Sequence, residues 1–338
     1  MNKFNLQMFA NANTQTTGTA SLSNEMKTFY DKTLIRTAEP DLVFDQFAQK
    51  RPIPKNGGKK IEFRKFSSLP KATTPLDEGV TPDGQSLTVG KVEAEIHQYG
   101  GYVTLSDVFE TTAIDNVLVE ATQVIGSQAG RTLNTVTRDI VMAGTNKMFA
   151  PKIGADGTET PVTKREDLDA TAIFKPKYVY RAERVLKNVN APKIDGKYVA
   201  IIHPDVASDI MQDDQFIDVT KYRGTMGTFE GEIGTIGNTR FIENSESKIW
   251  TGTTNKCPDG LAVYGILFIA KNAYGVSEVD GLGLKTIIKQ LGSAGTADPL
   301  DQRGTVGWKG AKAAAILVEE YMLRFECVSS VSADASAN

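Results

Sequence analysis

The chain has 338 residues, room for two or three compact regions rather than one core. Apolar residues make up 40% and charged residues 23%, an ordinary composition for a folded protein that excludes a disordered or fibrous chain. A formal net charge of -3 argues against a protein that coats nucleic acid through clustered Lys and Arg, and two cysteines, Cys257 and Cys327, leave no disulfide framework or CxxC metal knuckle.

The opening MNKFNLQMFA lacks the apolar run of roughly 7 to 15 residues that a secretory signal needs. No stretch approaches the roughly 20 apolar residues that span a bilayer, and the lack of a disulfide framework predicts a reducing, cytosolic origin. Residues 11–24, NANTQTTGTASLSN, are too poor in apolar side chains to fold alone and predict an arm. Helical spacing runs from Met26 through Phe29, Tyr30 and Thr33 to Leu34, and Pro40 breaks it. A second apolar group, Leu42, Val43, Phe44 and Phe47, ends at Arg51-Pro52.

From Gly57 the pattern alternates: Ile61 and Phe63 share one side, Glu62 and Arg64 the other, which predicts a strand with one wet face. Residues 68–86 hold Pro70, Pro75, Gly79, Pro82 and Gly84 and predict an irregular tip. The return leg, Leu87 to Leu105, alternates again, with a phase slip at Gly90-Lys91 that predicts a bulge. Fully extended, that leg would reach roughly 60 Å at about 3.3 Å per residue, which points to a long projecting hairpin. An ordinary antiparallel sheet gives the same alternation.

The strongest helical signal covers residues 116–143, with Asp115 as N-cap and Gly144 as stop. Apolar or small residues recur at Val117, Leu118, Ala121, Val124, Ile125, Gly126, Ala129, Leu133, Val136, Ile140 and Val141. Glu120, Gln123, Ser127, Arg131, Asn134 and Arg138 share the opposite, polar face. A single rod of roughly 40 Å is expected at about 1.5 Å per residue, and a break at Gly126 or Gly130 is the alternative.

Residues 150–172 read as a connection. An amphipathic helix from Pro176 to Asn188, a buried strand from Lys197 to His203 and a helix from Pro204 to about Met211 then predict an α/β layer. Gly237-Asn238, between Ile233–Ile236 and Thr239–Ile242, predicts a tight hairpin, and Leu261 to Ala270 a further apolar strand.

No catalytic, cofactor-binding or metal-binding residues are predicted. His97 and His203 sit in different strands without an HExxH spacing, and there is no GxSxG elbow. Gly281, Gly283 and Lys285-Thr286 lack the GxxxxGK[ST] order of a phosphate loop. Asp205, Asp209 and Asp213 fall four apart on one helical face, where solvation explains them more cheaply than a divalent cation.

The segment DPLDQRGTVGWK, Asp298 to Lys309, has no catalytic logic. It resembles a motif near the C-terminus of a family of phage major capsid proteins, common in prophages of Gram-positive bacteria, that includes the coat protein of coliphage N-four. KFNLQMFA, KYVAIIHPDVASDI and GEIGTIGNTRFIEN resemble further segments of that family, in its order, so the resemblance covers most of the chain. It implies an α+β, Hong Kong 97-type phage capsid fold. The parts would be an N-terminal arm at 1–52, an extended two-stranded loop at 53–106, and a peripheral domain with a long spine helix at 107–154 and 303–331. An axial α/β domain would follow at 155–302 and a flexible tail at 332–338.

The same resemblance implies a non-enzymatic coat subunit that assembles into hexamers and pentamers of an icosahedral head. Portal and scaffolding or decoration proteins would be its partners, with double-stranded DNA touched weakly on the inner face and no membrane. Candidate inter-subunit contacts are Lys59, Lys60, Arg64, Lys65, Lys71, Asp77 and Glu78 of the loop, and Glu120, Arg131 and Arg138 of the spine helix. Asp298, Gln302, Arg303, Trp308 and Lys309 of the motif complete the set. Rival expectations are an encapsulin-like nanocompartment shell and, further off, a soluble α/β enzyme using residues 175–215.

Overall fold

A computed structural model describes residues 34, 42–53, 58–66, 69–75, 78–79, 81, 83–87, 89–108, 117–213, 232–279, 283–290, 293, 298, 300–333 and 335–338. The expected polar arm at 11–24, the helix before Leu34 and the Asp115 cap lie outside these residues. The chain divides into two compact units. The first comprises Met1–Asp41, Tyr99–Gly130 and Leu282–Gly310; the second comprises Leu42–Gln98, Arg131–Gly281 and Ala311–Asn338.

In chain order, α1 (Val43–Gln46) leads to β1 (Gln49–Ile53), β2 (Lys60–Phe66), β3 (Val89–Glu95) and β4 (His97–Ser106). Then come α2 (Val117–Met142), the short strands β5 (Lys147–Phe149), β6 (Lys152–Ile153) and β7 (Glu159–Thr160), and α3 (Pro176–Asn188). Next are β8 (Tyr198–Ile202), α4 (Pro204–Met211), β9 (Glu232–Ile236), β10 (Thr239–Glu243), β11 (Ile249–Trp250) and β12 (Val263–Ile269). The chain closes with β13 (Tyr274–Val279), β14 (Lys285–Lys289), β15 (Arg303–Ile316) and β16 (Met322–Cys327). Residues 150–172, expected as a plain connection, hold the β6–β7 hairpin and a 3-10 turn at Arg165–Asp167.

The second unit is built on a seven-stranded sheet in the order β5-β16-β12-β8-β10-β9, with β11 on β12. Its centre is β8, YVAII, and β12, VYGILFI, in which every residue is buried. An unbroken apolar strand is buried on both faces, and the alternation shows how. Ala200, Ile202, Ile266 and Phe268 point into one core with α3 and α4, while Val199, Ile201, Leu267 and Ile269 point into another with α1 and the end of α2. In α3, Pro176 stands at the first turn, and Tyr178, Val179, Ala182 and Leu186 form the buried stripe. Phe174, Tyr178 and Phe325 pack ring against ring, the first and last at 5.0 Å edge to face.

The Gly237-Asn238 hairpin forms as expected, with Gly237 at φ +59 and an unforeseen register shift between Phe241 and Ile242. Glu183, almost fully buried on α3, holds this turn: its Oε1 accepts from Asn238 N at 2.6 Å and from Thr239 Oγ1 at 3.0 Å.

The predicted hairpin from Gly57 is corrected in two ways. The pairing of β2 with β3 keeps one register from Lys60↔Glu95 to Phe66↔Val89, so there is no bulge at Gly90-Lys91. The apparent slip arises because Leu87 and Val89 are apolar residues on the exposed side, while Ala94 is buried and Val92 and Ile96 are half-buried. The return leg is also not one strand: it breaks at Ile96, and β4 pairs with β15 instead of continuing the hairpin.

The hairpin's inner face, Ile61, Phe63 and Ala94, packs on Ala313 and Ala315 of β15. Gly275 on β13 leaves its backbone bare under the Phe63 ring, where a Cβ would sit 2.6 Å from Cε1. The alanine run of β15 is therefore strand: small side chains make a flat platform for an aromatic ring, and packing overrides helix propensity.

β15 is shared between the units; in the second its later half pairs with β13, which in turn pairs parallel with β1. In the first unit its earlier half pairs with β14 from Lys285↔Lys309 to Lys289↔Thr305, and with β4. Val306 and Trp308 are buried, and Tyr102 lies over Gly307.

α2 is one unbroken helix through Gly126 and Gly130. Its predicted polar face is corrected: Asn134 and Arg138 are buried, whereas Val124, expected on the apolar stripe, is 68% exposed.

Candidate assembly surfaces

The hairpin carries a ladder of charges on its wet face. Lys59 pairs with Glu95 at 2.6 Å, Lys60 with Glu93 at 3.2 Å, and Lys91 with Glu62 at 3.2 Å. The Lys60–Glu93 and Lys91–Glu62 pairs are diagonal and follow from the register, which sets Glu62 opposite Glu93 and Arg64 opposite Lys91, so each like-charged rung is relieved by the next. Lys59 holds the Glu95 carboxyl below its ordinary value by hydrogen bond and charge. Lys59 and Lys60, proposed as contacts to a neighbour, are thus engaged within their own hairpin. Arg64, Lys71, Glu78 and Asp83 are exposed; the Lys65 side chain and Asp77 lie outside the described residues.

On α2, Glu120 is exposed, and Arg131 Nε donates to Glu246 at 2.6 Å. Arg138 requires a correction. It is 1% exposed, and its guanidinium is consumed by the Glu246 carbonyl at 2.8 Å and by Asp139 Oδ1 at 3.0 Å, so its fork is not available to another subunit. Periodicity alone misplaced it, because a long side chain can turn its head inward once a carbonyl is there to receive it.

The 298–309 segment is an anchored turn running into a strand. Asp298, 6% exposed, accepts from Arg303 N at 2.7 Å, and its other oxygen lies 3.8 Å from Arg303 Nε. Gln302 gives its carbonyl to Asp107 N at 3.1 Å, and Trp308 Nε1 donates to Gln128 Oε1 at 3.1 Å. Asp298 and Trp308 are therefore interior residues of the first unit, while the Gln302, Arg303 and Lys309 side chains are exposed.

Exposed apolar side chains also occur in the same unit. Tyr102 and Leu300 are each 75% exposed, and Val108, Val124 and Ile287 also face solvent. Tyr102 and Ile287 flank Gly307 on neighbouring strands, forming an apolar row bordered by Lys285, Lys289 and Lys309. Sequence reading missed this row, because the alternation around Tyr102 and Ile287 gives no sign of which face is covered.

The residues weighed for chemistry have structural duties. His203 caps α4, its Nδ1 accepting from Asp205 N at 3.2 Å, and burial keeps the imidazole neutral by lowering its pKa from the ordinary 6.5. Asp205 receives the Tyr264 hydroxyl at 2.6 Å, and Asp209 receives Ser330 N and Oγ. Glu159 is clamped by Lys177 and by Arg181, which hold its carboxyl down to about 2. Among the described residues no group of three His, Cys, Asp or Glu is placed to hold a metal ion.

A family model described as phage capsid protein matches residues 90–323. The major capsid protein of Pseudomonas phage KPP21 is 23% identical over 350 residues, covering 84% of this chain and 87% of that protein. The capsid of Ralstonia phage GP4 superposes with a TM-score of 0.63 at 13% identity, and that of cyanophage P-SCSP1u with 0.62 at 14%. In both cases 84% of this chain and 87% of the other are covered. These likenesses carry the α+β, Hong Kong 97-type capsid fold that the motifs led one to expect. Since the family match runs from the start of β3 into β16, through both units, the chain belongs to the phage capsid protein family.

Proposed function

We propose that this chain is the major capsid subunit of a tailed phage or prophage, assembling with copies of itself into hexamers and pentamers of an icosahedral head around double-stranded DNA. The arm (1–52), seated on its own subunit through α1 and β1, and the extended loop (53–106) reach onto neighbours; 107–154 with 303–331 form the peripheral domain, 155–302 the axial domain, and 332–338 a tail. The subunit performs no catalysis, assembles in the host cytoplasm, and meets portal and scaffolding or decoration proteins at the shell. A net charge of -3 suits an inner surface that grips DNA weakly.

The observation that carries this reading is the hairpin. Its base packs on alanines, yet Leu69, Leu87 and Val89 stand 48%, 64% and 45% exposed toward its outer part. Apolar groups on an extension that its own unit leaves uncovered are the mark of a surface completed by another molecule. The exposed row of the first unit, Tyr102 and Ile287 beside Gly307, supports the same reading.

Deleting residues 68–86 tests it. The expected product is a folded subunit, by circular dichroism, that yields few closed shells under negative-stain microscopy. Shells at normal yield from the deleted chain would remove the loop from assembly. Intact-chain shells that enclose a protein cargo when made during phage production, rather than DNA, would overturn the virion assignment in favour of a nanocompartment.

A further inference from the structure

Among the described residues β5 is the outer strand of the second unit's sheet and pairs on one side only, parallel with β16. Asn146 O accepts from Arg324 N at 3.0 Å, and Ala150 N donates to Glu326 O at 2.9 Å. Positions 146, 148 and 150 therefore face β16, and alternation turns the N–H and C=O of Lys147 and Phe149 outward. These four groups have no hydrogen-bond partner among the described residues. Open strand edges of this kind are sites of strand addition.

A cleft made of two adjoining pockets, which share Lys147, Phe149 and Thr163, lies along this edge. Val162 and Phe325 line the first pocket, and Lys164 and Lys256 stand on the rim of the second. Among the described residues neither Lys147 nor Lys256 has a carboxylate at ion-pair distance, and Lys164 has only the exposed Glu166 at 3.4 Å. The neighbouring cations are spent. Arg165 gives two bonds to Glu326 and one to the Asn255 carbonyl, stacked 4.0 Å from the Trp250 ring, and Arg181 is bound to Glu159.

We infer that this cleft receives an extended acidic peptide segment of a partner protein, added as a strand along β5. Its backbone satisfies Lys147 and Phe149, its apolar side chains meet the Phe149 wall, and its carboxylates meet the three lysines. A peptide fits better than nucleic acid. An open edge offers carbonyls as well as amides, and a phosphate chain has no donors for the carbonyls. Three lysines on a chain of net charge -3 also give little counterion release. This peptide site goes beyond the proposed shell formation and does not rest on it.

Fluorescence anisotropy of the full-length chain with a labelled peptide of alternating Glu, Val and Asp tests the site. Binding should weaken about 10-fold or more in K147E/K256E, and remain unchanged in K271E, whose residue is exposed and does not line the cleft. A peptide N-methylated at alternate amides should also lose binding, because strand addition needs those donors. Thermal melts establish that each variant is folded. Equal binding by K147E/K256E, equal binding of the methylated peptide, or tighter binding of a short single-stranded oligodeoxynucleotide would each overturn the proposal. Shells forming normally from K147E/K256E would leave the capsid reading intact while peptide binding alone is lost.

Discussion

Lys312 Nζ lies 2.6 Å from Asp45 Oδ2 and 2.8 Å from Oδ1, and also donates to the Leu133 carbonyl at 2.9 Å. The lysine is 4% exposed, so strand β15, helix α2 and the short helix α1 meet at one buried charge. Thr137 Oγ1 adds a bond to Asp45 at 2.9 Å, Asn134 Oδ1 accepts from Phe44 N at 3.1 Å, and the Tyr274 hydroxyl donates to the Phe44 carbonyl. The short segment Val43–Phe47 is thereby fastened by polar bonds inside an apolar cluster.

Removing one partner strands the other. Lys312→Met should cost about 3 to 5 kcal/mol, because Asp45 is left as a largely buried charge without its cation. The double change K312M/D45L should be less damaging than K312M alone. Urea denaturation of the unassembled subunit measures both; a double variant less stable than the single one would contradict the account.

The Phe63 platform makes a second prediction. Gly275→Val places a branched side chain where even a Cβ comes within 2.6 Å of the ring, so the hairpin base must lift. A loss of about 1 to 3 kcal/mol is expected. Hydrogen exchange should quicken across β2 and β3 while β8 and β12 remain protected.

Glu183→Ala should loosen the Gly237-Asn238 turn, leaving the Asn238 amide and Thr239 hydroxyl without their acceptor. The cost should be about 1 to 3 kcal/mol, read by thermal unfolding. Lys187, paired to the same carboxylate at 2.5 Å but 46% exposed, remains hydrated and adds little.

Acid should act in two stages. His203 is neutral in the fold with its pKa lowered by burial, so its share of stability is present above the ordinary 6.5 and is lost as pH falls through the lower folded value. Glu159 has a depressed pKa, so its share is present above the ordinary 4.5 and disappears as pH falls toward about 2. His203→Asn keeps an N-cap without a proton to gain, and should flatten only the upper stage in a pH series of melting curves.

Trp308→Ala should destabilise the first unit by about 3 to 5 kcal/mol, since the ring is 3% exposed and bonded to Gln128. Arg303→Ala, on an exposed side chain, should leave folding intact and reduce shell yield under electron microscopy. Normal yields from Arg303→Ala would remove that residue from assembly.

Local order was legible in the residues. Pro176 and Pro204 opening helices, the unbroken apolar runs of β8 and β12, and the Gly237-Asn238 turn each announce themselves through backbone restriction or burial, which act over a few positions. The motif DPLDQRGTVGWK pointed to the capsid family for a different reason, being a specific string rather than a pattern.

Tertiary structure decided what depends on partners distant in the chain. Arg138 turned inward because Glu246 offers a carbonyl, the alanines of β15 became strand because Phe63 needed a flat seat, and Lys312 entered an apolar cluster because Asp45 waits there. The leg after the hairpin broke at Ile96 because β15 competes for β4. Side-chain type fixes what a residue prefers locally, but the free energy of a buried charge, or of a strand's choice of neighbour, is set by groups that only folding brings near.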